Sequence, residues 1–187
     1  MQRCDWGANE PELTYHDTEW GVPVHNDNKH YEFLVLEGAQ AGLSWRTVLL
    51  KREGYRQAFY DFDPKKVSLM TEDDVERLVL NPGIIRNRAK IRSAINNASA
   101  FLKVQEEFGS FDSYLWSFVE GKPVVGRWKS VREIPATTPL SDAVSKDLKK
   151  RGFTFVGSTV IYAHLQAVGI VNDHEEKCFR FAELTQG

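Results

Sequence analysis

The chain has 187 residues, of which 42% are hydrophobic and 27% are charged, and its formal net charge at pH 7 is −2. This composition excludes an intrinsically disordered chain and predicts one compact domain or two closely joined lobes. Since the net charge is slightly negative, any binding to nucleic acid has to come from a local basic surface. We find no signal peptide and no apolar run near the roughly 20 residues that cross a bilayer, so we expect a cytoplasmic, monomeric protein without membrane contact.

The first 20 residues are rich in aromatic side chains and in side chains that can bind a metal. Cys4 and His16 stand close in sequence to Trp6, Tyr15 and Trp20. The end of a chain usually frays unless other parts of the protein hold it in place. Such a concentration of aromatic residues and soft ligands therefore indicates that this segment is anchored.

A second pair of soft ligands, His174 and Cys178, lies far along the chain. These two residues are four positions apart, so they share a face if the segment is helical. Together with Cys4 and His16 they form a Cys₂His₂ set, which has the ligand number and softness that structural zinc prefers. A disulfide between the two cysteines, or a site that uses other histidines, is also compatible with the spacing. Those other histidines are His25, His30 and His164.

A buried helix is predicted from Lys29 to Gln40, because apolar side chains leave little room for a polar face. Glu37 is the exception, since it lies four residues after Phe33 on a face that should pack against other side chains. A carboxylate in such a place usually has a partner or a function. Glu37 is therefore a candidate site residue. The alternative is a side chain that reaches solvent at the helix edge or pairs with a Lys or Arg.

Residues 39–45 form a loop of mostly small side chains after this helix. Gly42 allows another backbone to approach closely, and Leu43 has no apolar neighbour on either side. A projecting Leu can act as a wedge between bases, although a core position at a turn is commoner. Trp45 offers a flat aromatic face close in sequence to Glu37, and it can equally be an ordinary core residue.

Two helices are predicted between Thr71 and Phe101, joined by a short turn at Asn81-Pro82-Gly83. Thr71 is a good N-cap and is followed by acidic residues. Pro82 disfavours the helical conformation at the residue before it, and Gly83 can adopt the positive φ that a sharp reversal needs.

Basic residues crowd the beginning of the second helix of this pair. The start of a helix carries partial positive charge, so cations there are unfavourable unless an anion binds. The cations are Arg86, Arg88, Lys90 and Arg92. A phosphate is the obvious anion, and the arrangement resembles the helix-hairpin-helix element by which DNA repair proteins hold a strand's backbone. An ordinary helical hairpin with a basic face is the alternative.

Several motifs occur together in this one chain. They are Cys4-Asp5-Trp6, Tyr15-His16-Asp17, Glu19-Trp20-Gly21-Val22-Pro23, Leu36-Glu37-Gly38 with Gln40-Ala41-Gly42-Leu43-Ser44-Trp45, Gly83-Ile84-Ile85-Arg86, and Lys150-Arg151-Gly152-Phe153 through Val171-Asn172-Asp173-His174. Their combination resembles the DNA-3-methyladenine glycosylase I family. The resemblance extends from Cys4 to Cys178.

The resemblance implies an all-α fold of the helix-hairpin-helix glycosylase superfamily. It implies a single unit over residues 1–187, with a central helix-hairpin-helix lobe at roughly residues 25–110 and a zinc lobe formed by the two chain ends. The implied zinc ligands are Cys4, His16, His174 and Cys178. The implied catalytic residue is Glu37, and the implied base-binding residues are Tyr15, Trp45, Trp6 and Trp20. The expected DNA contacts are Gly42, Leu43, Gly83, Ile84, Arg86 and Arg88.

The implied activity is hydrolytic removal of 3-methyladenine from alkylated double-stranded DNA. Most helix-hairpin-helix glycosylases carry an essential Asp beyond the hairpin, whereas this family lacks it, and we find no persuasive candidate in this chain. Methylation at N3 makes adenine cationic, so the departing base needs no general acid and recognition becomes the main task. No nucleophilic lysine for a lyase step is evident, although Lys90 has to be tested.

Two functions from other classes stay open at this stage. A non-enzymatic helix-hairpin-helix DNA-binding protein stabilised by zinc would explain the hairpin, but it would have no use for a buried Glu37 beside Trp45. A zinc-stabilised interaction protein would explain the two chain ends and leave the hairpin unexplained.

Overall fold

Ten α-helices account for most of residues 1–186, the part of the chain that a computed structural model describes. The helices are α1 (Glu12–Thr18), α2 (Asp27–Gln40), α3 (Trp45–Ala58), α4 (Pro64–Val67), α5 (Glu72–Leu78), α6 (Arg88–Phe108), α7 (Phe111–Ser117), α8 (Pro139–Lys150), α9 (Ser158–Ala167) and α10 (Phe179–Gln186). The predicted all-α fold is thus confirmed. Within residues 1–186, no helix combines the length and the apolar composition that crossing a membrane requires.

Helix α2 lies at the centre of the hydrophobic core. Every residue from His30 to Ala39 is buried, and α2 contacts α3, α6, α7 and α9. A helix that is apolar on all sides has to be enclosed in this way. The prediction of a buried helix is confirmed, with a start at Asp27 and an N-cap at Asn26, whose side chain accepts a hydrogen bond from the backbone N–H of Lys29. Because neighbours enclose α2, the position of Glu37 is fixed.

Helices α5 and α6 form the predicted hairpin. Thr71 caps α5 in a capping box with Asp74, as the acidic residues after it indicated. The hairpin turn (residues 79–87) joins α5 to α6. The expectation of a positive φ at Gly83 is wrong, because its φ lies outside that region. A Cβ at Gly83 would lie 3.0 Å from Oδ1 of Asn81, a tight contact that the Asn81 side chain would have to relieve.

The hairpin turn packs directly against α3. A Cβ on Gly54 of α3 would lie 2.0 Å from the carbonyl oxygen of Gly83, so only glycine permits this contact. The Nζ of Lys51 donates a hydrogen bond of 2.7 Å to the carbonyl of Pro82. The backbone N–H of Ile85 donates to the hydroxyl of Tyr55. Helix α3 therefore positions the turn, and the same helix carries Trp45 at its first position.

Two very short parallel strands were not predicted from the sequence. Strand β1 (Val124–Val125) pairs with β2 (Val171–Asn172), and an isolated bridge from Trp128 to Glu175 extends the pairing. Strands of two residues are too short to produce a recognisable alternation of polar and apolar side chains. They align the segment after α7 with the segment that leads to His174.

Candidate functional site

The four predicted metal ligands meet where the two ends of the chain come together. Cys4, His16, His174 and Cys178 are all buried, and their ligand atoms lie within 4.8 Å of one another; we call this set the metal cluster. The Sγ of Cys178 lies 3.5 Å from Nε2 of His16 and 3.6 Å from Nδ1 of His174. A tetrahedral ion about 2.3 Å from sulfur and about 2.1 Å from nitrogen separates those ligand atoms by about 3.6 Å. The metal cluster could therefore hold a metal ion.

Neighbouring groups orient the ligands of the metal cluster. Nδ1 of His16 lies 2.8 Å from a carboxylate oxygen of Asp17, and Nε2 of His174 lies 2.9 Å from the carbonyl oxygen of Trp20. A hydrogen bond from Arg3 lowers the pKa of Asp17. The hydrogen bond between the two thiols lowers the pKa of Cys178, as do those from His16 and His174, and it raises the pKa of Cys4 together with burial, so in the absence of a metal Cys178 is the thiolate of the pair. Such outer partners are typical of histidines that bind metals.

The structure also shows whether the two cysteines form a disulfide and how His174 and Cys178 are brought together. Cys4 and Cys178 are free and do not form a disulfide. The segment from His174 to Cys178 is not helical, because α10 begins only at Phe179, so the condition for a shared helical face is not met. A turn brings these two ligands together, closed by a hydrogen bond of 2.7 Å from the N–H of Cys178 to the carbonyl of Glu175.

A cavity of about 310 Å³, which we call the Glu37 cavity, opens beside the metal cluster. It is lined by all five residues that were predicted to act on the base. These residues are Trp6, Tyr15, Trp20, Glu37 and Trp45. Residues from α1, α2, α3 and the first segment of the chain thus converge on one site.

Three polar groups in the Glu37 cavity have no hydrogen-bond partner among residues 1–186. Glu37 is 4% exposed and receives no hydrogen bond from residues 1–186, and burial raises its pKa to about 8. The hydroxyl of Tyr15 and the Nε1 of Trp45 are also buried and unpartnered. Buried polar atoms are nearly always hydrogen-bonded in folded proteins. A cavity with three such groups fits a ligand that has an apolar face and a polar edge.

The tryptophans of the Glu37 cavity rest on the metal cluster. Trp6 and Trp20 pack edge to face, with ring centroids 4.9 Å apart. The ring of Trp6 lies 5.1 Å from that of His16, and the ring of Trp20 lies 4.5 Å from that of His174. The metal cluster therefore supports one wall of the cavity, while Tyr15 and Trp45, 5.3 Å apart, form another.

The loop after α2 projects next to the Glu37 cavity and is tied to α6. Leu43 is 41% exposed, and Gly42 before it has a positive φ that favours glycine. Lys90 of α6 donates hydrogen bonds of 2.8 Å and 2.6 Å to the carbonyls of Ala39 and Ala41. Its ammonium group thus holds the loop, and partial burial lowers its pKa.

The basic residues at the start of α6 differ in their partners. Arg88 and Arg92 form ion pairs with Glu76 and Glu72 of α5, so acidic residues on the neighbouring helix already offset their charge. Arg86, in the hairpin turn, forms no ion pair with any residue in the described range 1–186. Of these three arginines, Arg86 is therefore the one whose charge is left for an anion.

A sequence profile of the methyladenine glycosylase family matches residues 6–181. The chain belongs to this family. It is 52% identical over 179 residues to DNA-3-methyladenine glycosylase 1 of Escherichia coli K12, a match that covers 95% of this chain and 96% of that protein. The crystal structure of a 3-methyladenine DNA glycosylase I has a TM-score of 0.91 at 53% identity, over 95% of this chain and 98% of the other.

A second solved structure of the methyladenine glycosylase family addresses the recognition of 3-methyladenine by the Staphylococcus aureus 3-methyladenine DNA glycosylase I. It has a TM-score of 0.92 at 38% identity and covers 96% of each chain. The fold of this chain therefore agrees even with that of a relative whose sequence is less similar.

The Glu37 cavity also contains polar residues that sequence reasoning missed. Gln40, Arg46 and Gln166 line it, from α2, α3 and α9. Gln166 could have been noticed as a polar side chain in the largely apolar run 160–168. Arg46 gives no such signal, because a cation near the start of a helix looks like ordinary surface.

The raised pKa of Glu37 predicts a specific pH dependence of stability. Since folding raises this pKa from 4.5 to about 8, the folded protein favours the protonated carboxyl, and its free energy of unfolding should fall as pH rises through that interval. Glu37→Gln removes this titration, so the variant should be more stable than wild type at about pH 8 and similar to it near pH 4. Urea unfolding across this range measures the effect.

The exposed carboxyl of Glu53 provides the matched control for that measurement, because Glu53→Gln should shift stability by a small amount that hardly depends on pH. A difference between wild type and Glu37→Gln that stays constant with pH would contradict the buried, unpartnered carboxyl.

Proposed function

We propose that this protein is a DNA-3-methyladenine glycosylase, which hydrolyses the N-glycosidic bond of 3-methyladenine in alkylated double-stranded DNA. Its relatives in Escherichia coli and Staphylococcus aureus bear that name. The observation that carries the proposal is the buried carboxyl of Glu37 in one cavity with the aromatic rings of Tyr15 and Trp45. The enzyme acts as a monomer and without a lyase step.

In this site, the positive charge of 3-methyladenine distinguishes it from undamaged adenine. A flipped 3-methyladenine is cationic, and aromatic rings such as those of Tyr15 and Trp45 attract a desolvated cation by about 2 kcal/mol. The cation also lowers the pKa of Glu37, so the carboxyl loses its proton and accepts a charge-assisted hydrogen bond. Neutral adenine has no charge that would stabilise the ionised carboxyl, so it binds much less strongly in the same cavity.

The cationic base also explains why the site needs no general acid. When the bond between the sugar and N9 breaks, its electrons neutralise the positive ring, so the base departs without being protonated. Water then adds to the cationic sugar carbon and releases a proton to the solvent. Lys90 takes no part as a nucleophile, because two backbone carbonyls hold its amine.

Glu37→Gln keeps the size of the side chain and removes its negative charge. We expect release of 3-methyladenine from methylated DNA to fall by at least about tenfold, while affinity for undamaged duplex stays the same. Chromatography of the released bases measures the rate, and unfolding curves measure the folded fraction.

A loss of release that merely follows the folded fraction would assign Glu37 a structural role. Release of 7-methylguanine at a comparable rate would show that the cavity recognises only the positive charge of the base. DNA binding without any base release by wild type would favour the non-enzymatic alternative.

The duplex is proposed to lie across the loop at Gly42 and Leu43 and across the hairpin turn. Leu43 is exposed and can fill the space that a flipped base leaves. Gly83 and Ile84 lie in the hairpin turn, and because the side chain of Ile84 is buried, only its backbone is available to a phosphate. Lys90 links the two surfaces, since it extends from α6 to the carbonyls of the loop.

Arg88 has an ion-pair partner and Arg86 has none within residues 1–186, so substitutions of these two arginines test this DNA surface. Arg86→Ala should weaken binding to damaged and undamaged duplex alike, and should reduce the slope of log affinity against log salt by about one. Arg88→Ala is the matched control, with a smaller effect because Glu76 already pairs with this arginine. Fluorescence anisotropy at several salt concentrations measures both. If neither variant changed the salt slope, the hairpin turn would be ordinary surface.

The ion of the metal cluster is proposed to be zinc with a structural role. Two thiolates and two imidazoles suit its softness and tetrahedral preference, and four protein ligands leave no position for a substrate. Bound there, the ion would join the segment at Cys4 and His16 to the segment at His174 and Cys178.

In protein that has not been exposed to a chelator, elemental analysis should find one zinc ion per chain. Cys178→Ala should lose the zinc and unfold at a lower temperature, because metal binding adds its free energy to folding. His25→Ala is the matched control, since His25 lies outside the metal cluster and should leave the metal content unchanged. Metal-free protein of unchanged stability would rule out this role.

A further inference from the structure

Phe155 combines an exposed aromatic side chain with an unfavourable backbone conformation. It lies in residues 151–157, the segment that joins α8 to α9. Its side chain is 38% exposed, whereas the nearby Phe153 and Val156 are buried in the core. Its φ of 54° lies in the left-handed region, which bulky side chains rarely adopt. Such strained residues concentrate at sites that bind ligands, so Phe155 is a candidate for a binding role.

Buried polar side chains of α6 hold the backbone before Phe155 in place. Nδ2 of Asn97 donates a hydrogen bond of 2.9 Å to the carbonyl of Thr154, and Oδ1 of Asn97 accepts one of 2.9 Å from the N–H of Thr154. The hydroxyl of Ser93 donates to the same carbonyl at 3.2 Å. Asn97 and Ser93 are both buried, so water does not compete for these hydrogen bonds. The fold therefore fixes the conformation in which Phe155 is exposed.

Phe155 lies beside the end of α2 and beside Lys90 of α6. A Cβ at Gly38 would lie 3.6 Å from the Cβ of Phe155, so these two residues are in contact. Phe155, Ala39 and Lys90 line one small crevice between α2 and α6. The ammonium group of Lys90 also holds the loop that carries Leu43. Phe155 therefore continues the surface across which the duplex is proposed to lie.

We propose that Phe155 is a further DNA-binding residue, whose ring packs against a nucleoside of the duplex close to the extruded base. The inference rests on the proposed function, since it concerns the same DNA surface. Extrusion of a base uncovers the apolar faces of the bases and sugars around it. Leu43 is too small to cover all of these faces, and an aromatic ring on a rigid segment can cover another. Because the ring carries no charge, its contribution to affinity should not depend on salt.

Phe155→Asn tests this role, because asparagine lacks the ring and tolerates the left-handed region better than most residues. Its affinity for a duplex that contains an abasic-site analogue should be about tenfold lower than that of wild type. The slope of log affinity against log salt should stay at the wild-type value, in contrast to Arg86→Ala. Phe155→Tyr, which keeps an aromatic ring, should bind like wild type. Fluorescence anisotropy at several salt concentrations measures these variants.

Tyr60→Asn is the matched control, because Tyr60 is also an exposed aromatic residue with a positive φ. Tyr60 lines a crevice with Asp74 in the first turn of α5, whereas the hairpin turn follows the last turn of that helix. This variant should keep the wild-type affinity for the duplex. Thermal unfolding verifies that each variant is folded.

Binding of free 3-methyladenine separates a DNA contact from a role in the Glu37 cavity. Trp6, Trp20 and Trp45 line that cavity, so tryptophan fluorescence can report binding of the base. Phe155→Asn should bind the free base like wild type, because Phe155 lies outside the lining of the Glu37 cavity.

The inference is overturned if Phe155→Asn keeps the wild-type affinity for the duplex, or if Tyr60→Asn weakens DNA binding as much. It is also overturned if the loss of DNA affinity is matched by a loss of folded protein or of free-base binding. Failure of the proposed function has a different signature, because wild type would then release no 3-methyladenine from methylated DNA, whatever its affinity for the abasic duplex.

Discussion

The packing of two tryptophans on two histidine rings joins the metal cluster to the cavity. Trp6 and Trp20 line the cavity and at the same time contact His16 and His174. Both tryptophans belong to the first segment of the chain, which would fray if nothing anchored it. The histidines of the metal cluster are therefore also the surface on which one wall of the cavity packs.

The buried carboxyl of Glu37 is unfavourable for folding when it is ionised. Helix α2 is buried on all sides, and a charged group within it lacks both water and a protein partner. Proteins often keep such local strain at the sites where they bind ligands. Under the proposed function, the cationic base would offset this cost by stabilising the ionised carboxyl.

Local sequence signals predicted those parts of the structure that depend on neighbours in the chain. The apolar run of α2, the capping box at Thr71 and the ligand types of the metal cluster are of this kind. Features that depend on distant segments were not predictable. Gly54 needs to be glycine because the carbonyl of Gly83 approaches it, and the two-residue strands exist only through their pairing. The left-handed conformation at Phe155 likewise depends on hydrogen bonds from α6 that no periodicity reveals.

The joining of distant segments has a consequence for the synthesis of the protein. Chains emerge from the ribosome at about 5–20 residues per second, and early segments can fold first. Helix α2 has to wait for α9, one of the helices that enclose it, and Cys4 and His16 have to wait for residues 174–178. Until then Trp20 lacks the ring of His174 on which it packs. A chain interrupted before residue 174 therefore lacks the support for one wall of the Glu37 cavity.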